Sequence, residues 1–174
     1  MSTLIVDTVQ TDTIKDEAGA FEHARLVQVV NLISSTTATG TTRSLADNTI
    51  PQNDEGVEFM TLAITPTHAS NKLLIQVIIE LGHSVDQTQT VVALFQDSTA
   101  GALSTTAQWA PATANRPYTV ALNHYMAAGQ TSETTFKIRA GSTNAGTQRF
   151  NSAASAQFGG GVCGSSITIS EIRV

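Results

Sequence analysis

Side chains that could bind a metal or act as a nucleophile are few and widely spaced in this sequence. The four histidines are His23, His68, His83 and His124. None follows another at metal-ligand spacing, and the lone Cys163 cannot complete a thiolate site or an intrachain disulfide. His124 alternates with apolar residues, so we expect it in the core or at an interface. His68 and His83 could share a metal only within a symmetric cluster on an oligomer axis, and we predict no metal and no cofactor.

Motifs of common catalytic sites are missing as well. The sequence contains no Gly-x-Ser-x-Gly elbow and no phosphate loop, and the glycine-rich residues 159–164 precede a strand, so a tight turn or bulge is expected there. Asp54, Glu55 and Glu58, together with Asp47, could bind calcium, but they lack the spacing of a calcium loop, and a solvated loop is favoured. A sugar-cleaving enzyme would need paired carboxylates in a cleft, so it is the least favoured class. We predict that the protein is not an enzyme.

Trp109, Arg116 and Tyr118 form a cluster of the kind found on recognition surfaces. They fall in or beside a proline-containing stretch that we predict to be irregular. Aromatic rings and arginine are enriched at binding interfaces. Two interpretations stay open. The cluster is a recognition loop, or Trp109 plugs one end of the fold.

The clearest element that could position these residues is a strand over residues 72–81. Five apolar residues, from Leu73 to Leu81, occupy every second position, which predicts a core β-strand. The opposite face is mixed, and Leu74, Gln76 and Ile78 are apolar enough to contact a neighbouring subunit. We predict that these three residues lie at an interface between subunits.

Similar patterns recur along the chain with turn residues between them, and no segment shows helical periodicity over three turns. The predicted strands are residues 26–33, 57–64, 72–81, 90–96, 118–125, 134–139, 149–151 and 166–173, with weak pairing near 155–158. Residues 34–48 and 97–117 are predicted to be loops. The sequence therefore predicts an all-β fold, an antiparallel jelly-roll-like β-sandwich over residues 25–174.

Residues 1–24 differ from the rest of the chain. They contain scattered apolar residues, Leu4, Val6, Val9 and Ile14, and no partner strand for a hairpin. One interpretation is a frayed or edge-strand terminus. The other is an extended N-terminal arm for assembly or anchoring, which becomes ordered on another chain.

Composition excludes several kinds of partner. Hydrophobic residues make up 41% and charged residues 13%, while 26 Thr and 15 Ser supply most of the polarity, as is ordinary for secreted or virion β-proteins. The nine basic residues are scattered and the net charge is −5, so nucleic-acid binding is not expected. We see no signal peptide and no apolar run of membrane length. We therefore expect synthesis in the cytoplasm, without insertion into a membrane.

Several short segments give the chain a family resemblance. They are residues 50–52, 55–56, 64–66, 69–75, 93–98, 128–132, 134–139 and 169–172, together with the opening Ser-Thr-Leu and Val-Asp-Thr-Val-Gln. In these segments the chain resembles the C-terminal β-sandwich domain of tailed-phage virion proteins, which include tail-fibre-like and capsid decoration or cement proteins. The resemblance covers about two thirds of the chain and implies a trimer on a phage particle, with Leu74, Gln76 and Ile78 at the trimer interface.

The chain is short and has no fibrous repeat, unlike a typical tail fibre. We therefore expect a homotrimeric structural knob in the virion, anchored by its arm to capsid or tail proteins and decorating or cementing the capsid. The alternative is a short tail fibre that binds a host-surface glycan or protein receptor.

Overall fold

The computed structural model describes residues 25–154 and 156–173, which form strands joined by turns, one short 3-10 turn and no α-helix. The predicted arm residues Leu4, Val6, Val9 and Ile14 lie outside the described residues. The strands are β1 (Arg25–Ser34), β2 (Ala38–Gly40), β3 (Val57–Ile64), β4 (Lys72–His83), β5 (Gln89–Gln96), β6 (Ser104–Trp109), β7 (Tyr118–Ala127), β8 (Thr134–Ser142), β9 (Gln148–Phe150), β10 (Ser152–Ala153), β11 (Ala156–Gln157) and β12 (Ser165–Arg173).

Eight long strands form two antiparallel sheets. The first sheet contains β1, β12, β4 and β7 in that order, with the short β9 and β2 added beside the end of β4. The second sheet has the order β3, β8, β5, β6. Two four-stranded sheets in which neighbours in space are mostly not neighbours in sequence form a jelly roll. The predicted antiparallel β-sandwich is confirmed.

The strand over residues 72–81 is confirmed as the centre of the first sheet. In β4, the alternate residues from Leu73 to Leu81 are all buried, and they pack against Phe136 and Ile138 of β8. The same strand pairs with β12 on one side and with β7 on the other. Because both edges and one face of β4 are occupied within the chain, its second face is the part that remains exposed.

Two segments predicted to be loops contain strands. β6 occupies residues 104–109 and β2 occupies residues 38–40. β6 is an edge strand whose residues are exposed or half-buried, so it lacks the apolar alternation that marks a core strand. Its position is fixed by pairing with β5 and by the Thr105 hydroxyl, which donates a hydrogen bond to the Val92 carbonyl at 3.1 Å.

The outer face of the second sheet is covered in part by the chain itself, at β8, while its two edge strands stay more exposed. The Arg139 guanidinium, on that face of β8, donates hydrogen bonds to the carbonyls of Glu55 and Gly56, both at 2.8 Å. A side chain at Gly141 would lie 2.7 Å from the Ser44 nitrogen, so the segment over residues 42–56 crosses this face in close contact. Phe95 of β5 is also buried on this side, although it points away from the core between the sheets.

The two ends of the sandwich differ in what they present. We call the base the end at which β1 and β4 begin, with Arg25 and Lys72. We call the tip the opposite end, at which β4 ends with His83 and β6 ends with Trp109. The chain enters the sandwich at the base.

A buried carboxylate fixes the base. Glu171 of β12 is fully buried, and its carboxylate accepts hydrogen bonds from the side chains of Gln28 (2.6 Å) and Asn71 (2.6 Å) and from the Thr67 hydroxyl (2.8 Å) and backbone N–H (2.9 Å). Burial raises the pKa of this carboxyl, but the hydrogen bonds outweigh it and lower the pKa from 4.5 to about 2. Glu171 thereby ties β1 and the turn before β4 to the last strand.

The Glu171 network predicts a specific acid sensitivity. A carboxyl whose pKa is lower in the folded state stabilises the fold at pH values above its unfolded pKa, and this contribution is lost as the pH falls towards about 2. Between about pH 5 and pH 2, the free energy of unfolding of the wild type should fall by roughly 3 kcal/mol more than that of Glu171→Gln. Urea unfolding at a series of pH values measures this difference.

The control is Glu133→Gln, which removes an exposed carboxylate in the turn before β8. It should follow the wild-type pH profile. Parallel profiles for the wild type and Glu171→Gln would show that the Glu171 hydrogen bonds do not stabilise the ionised carboxylate.

Candidate functional site

The outward-pointing residues of β1, β12, β4 and β7 align in rows across the first sheet. In an antiparallel sheet, residues directly opposite one another point to the same side. We call this surface the assembly face. Its rows, each written from β1 to β7, are Ile33–Ser166–Ile78–Ala121, Asn31–Thr168–Gln76–Asn123, Val29–Ser170–Leu74–Tyr125 and Leu26–Ile172–Lys72–Ala127.

The assembly face exposes an unusual amount of apolar side chain. The exposed fractions are 70% for Ile33, 58% for Leu26, 53% for Tyr125, 50% for Ile78 and 48% for Val29. Its one charged residue, Lys72, lies in the row at the base, and the next charge, Glu80, lies beyond the row at the tip and accepts a hydrogen bond from Thr119 at 2.8 Å. Exposed apolar side chains concentrated on one sheet face in this way mark interaction sites.

The second row of the assembly face is polar but uncharged. It consists of Asn31, Thr168, Gln76 and Asn123 and lies between two more apolar rows. The Asn31 amide donates hydrogen bonds to the Thr168 hydroxyl at 2.7 Å and to the Ile167 carbonyl at 3.2 Å. Gln76 and Asn123 are exposed, and their amides take no part in the hydrogen bonds found within residues 25–154 and 156–173. We call these four residues the amide row.

The three residues predicted at a trimer interface all belong to the assembly face. Leu74 is half-buried, and Gln76 and Ile78 are exposed. The sequence analysis missed the contribution of Val29 and Ile33 from β1. Apolar residues occur on both faces of that strand, which is a signal for a strand covered on both sides, but its alternation is too weak to show which face is free.

The three residues predicted to form a recognition loop do not share one environment. Trp109 ends β6 at the tip and is 63% exposed, so it does not plug the sandwich. Arg116 is exposed in the segment before β7. The Tyr118 hydroxyl instead bonds to Thr90 at 2.6 Å and to Gln148 at 3.3 Å inside the fold, and burial raises its pKa.

Some of the histidines and acids considered as possible ligands are buried or paired within the fold. Nδ1 of the buried His83 lies 3.1 Å from both the carbonyl and the N–H of Val85, and burial lowers the pKa of its ring. His124 points towards the core side of β7, where burial lowers its pKa as well. Glu58 pairs with Arg139 at 3.6 Å. Among the residues that the structure places, no three His, Cys, Asp or Glu side chains are grouped as metal ligands would be.

Cys163 and the glycine-rich segment lie at the tip. Phe158–Gly161 form a 3-10 turn in which the three glycines have positive φ values of 55°, 65° and 94°, which agrees with the expected tight turn. Cys163 follows this turn and is half-buried. Within the described ranges, no helix is long and apolar enough to cross a bilayer.

Comparisons with known proteins add likenesses of low identity. No protein-family model and no curated protein sequence matches the chain. Among solved structures, the chain is similar to the Eiger TNF from S. frugiperda, at 13% identity and a TM-score of 0.46 over 86% of this chain and 94% of that chain. It is similar to the sugar-binding EclA C-terminal domain at 11% identity and a TM-score of 0.35, over 84% of this chain and 96% of that one.

A third similar structure is the VP2 subviral particle of infectious bursal disease virus, at 10% identity and a TM-score of 0.41. The likeness covers 97% of this chain and 44% of that chain. None of these three is described as a tailed-phage protein, so the resemblance to tailed-phage virion domains stays a prediction. At such identities the likenesses carry no information about function.

If copies of the chain associate through the assembly face, a charge placed on this face should weaken association more than a charge placed elsewhere on the surface. Ile78→Asp places a carboxylate in the row of the face nearest the tip and should weaken self-association at least about tenfold, because a buried unpaired charge is costly. Ile50→Asp is the matched control, since Ile50 is 64% exposed in the segment that crosses the second sheet. Sedimentation velocity over a concentration series gives both association constants. Equal values for the two variants would show that the assembly face is ordinary surface.

Proposed function

We propose that the protein is a non-enzymatic structural subunit of a phage virion. It associates as a homotrimer through the assembly face, and its N-terminal residues 1–24 anchor it to the particle, where it decorates or cements the capsid. The observation that supports this proposal most directly is the assembly face itself, which is apolar, nearly free of charge and uncovered by any described part of the chain. Threefold symmetry comes from the resemblance in sequence.

The position of the chain's entry supports an anchoring role for the N-terminal segment. Residue 24 leads directly into β1 at the base, whereas Trp109 and Arg116 lie at or near the tip. An anchor at one end leaves the other end free to face away from the particle. Gln28 lies close to the point at which the chain enters the sandwich, and its hydrogen bond to Glu171 holds it in place. A pulling force on residues 1–24 would therefore be transmitted to a strand that is tied to the rest of the fold.

A structural role also accounts for the polar groups that an enzyme could have used. The buried carboxylate of Glu171 holds three segments of the base together, and buried His83 bonds to the adjoining turn. Each of these groups is engaged in bonds that maintain the fold. We therefore propose binding and assembly rather than catalysis as the activity of this chain.

Deletion of residues 2–22 tests the anchor. The shortened protein should remain folded and keep its oligomeric state, because the described strands and the four rows of the assembly face all lie within residues 25–173. It should be absent from purified particles. Quantitative gel analysis of particles assembled with either form measures occupancy, and full occupancy by the shortened form would contradict the anchoring role.

A second candidate function is recognition of a host-surface glycan or protein, as in a short tail fibre. The observation that favours it is the 63% exposure of Trp109, a large aromatic side chain at the tip and away from the base. An exposed tryptophan can stack on a sugar ring or fill a pocket on a protein partner. Arg116, also exposed, could add charge-assisted hydrogen bonds.

Trp109→Ala and Arg116→Ala separate the two candidates. If the tip recognises a receptor, each variant should reduce adsorption of particles to host cells at least about tenfold while particle yield stays unchanged, because such contacts dominate binding energy. The control Leu45→Ala removes an exposed apolar side chain from the segment that crosses the second sheet. Unchanged adsorption of both tip variants would leave the capsid role as the function of this chain.

A further inference from the structure

We infer that the amide row sets the register in which copies of this chain pack through the assembly face. The partner is a second copy of the chain, and the row formed by Asn31, Thr168, Gln76 and Asn123 meets the same row of its neighbour. This inference rests on the proposed self-association and adds to it the residues that make the association specific.

The chemistry of the row matches a copy of itself. Asn and Gln each carry donors and an acceptor, and Thr has a hydroxyl that does both, so the row can form hydrogen bonds with an identical row. A row of lysines or glutamates would repel its copy. The exposed amides of Gln76 and Asn123 are free of bonds within the described part of the chain, so they can turn towards a neighbour.

The rows on either side make the register selective. Neighbouring rows on one face are two residues apart along each strand, about 6.7 Å. When copies pack around a rotation axis that runs along the strands, each row meets its own counterpart. A slip of one row would place Gln76 against Leu74 or Ile78 of the neighbour and leave a buried amide unpaired, which disfavours that register about tenfold or more.

The rest of the molecule favours a second copy over a different partner. The outer face of the second sheet is covered in part by residues 42–56 of the same chain, whereas the assembly face is not covered by any placed residue. A nucleic acid or an acidic or basic protein would require charges opposite to its own. The four rows contain only Lys72, at the base. An apolar, hydroxyl- and amide-bearing surface is instead complementary to itself.

The test is the double variant Gln76→Leu/Asn123→Leu in the full-length chain. Both residues are exposed, so the fold should be kept, and circular dichroism and thermal unfolding check this. Native mass spectrometry and light scattering then compare stoichiometry with the wild type. We expect association at least as tight as in the wild type, with more than one stoichiometry in place of a single one. Gln108→Leu, on the exposed edge strand β6, is the matched control and should keep the wild-type stoichiometry.

The outcomes separate this inference from the proposed function. A single wild-type stoichiometry in the double variant, with Ile78→Asp still dissociating the oligomer, would overturn the amide row and leave the assembly face in place. A wild type that is monomeric at all concentrations would overturn both. If the double variant does not fold, Gln76→Leu alone provides the same comparison, and an unchanged single stoichiometry in it would likewise overturn the inference.

Discussion

The covering of apolar sheet faces is the physical constraint on which this structure depends. Two β-sheets have four faces, and apolar area left in water costs about 25 cal/mol for each Å². The two inner faces cover each other around Leu73, Ile75 and Phe136. The outer face of the second sheet is covered in part by residues 42–56, which Arg139 holds. The assembly face is the one that no described residue covers, and the proposed function is association through this face.

The outer faces of the two sheets differ in whether the chain itself covers them. Both Phe95 and Ile78 point away from the core between the sheets, yet Phe95 is 1% exposed and Ile78 is 50% exposed. Residues 42–56 cross the outer face of the second sheet at Arg139 and Gly141, and they do not cross the assembly face. The outer face of a sheet can be covered by a loop of the same chain or by another molecule. In this chain a long polar loop lies on the second sheet, and the assembly face of the first sheet remains available to another molecule.

The sequence was sufficient for the core strands and for part of the assembly face. β3 has the predicted bounds, and β4 extends the predicted strand by two residues, because both contain the apolar alternation that burial on one side requires. Leu74, Gln76 and Ile78 were placed on the opposite face of β4 by the same alternation. β6 and the rows that join four strands could not be predicted. An edge strand has little apolar pattern, and the rows depend on register between strands distant in sequence.

β1 connects the two surfaces that the proposed function requires. It is an edge strand of the first sheet, it follows directly after residue 24, and it contributes Val29 and Ile33 to the assembly face. An edge strand is held by hydrogen bonds on one side only, so a force on the N-terminal segment would act first on its pairing with β12. The Glu171–Gln28 bond resists that force at the base, and a neighbouring copy packed over Val29 and Ile33 would resist it along the strand. In the proposed function, association through the assembly face would therefore strengthen attachment through the N-terminal segment, since it would stabilise the strand on which that segment pulls.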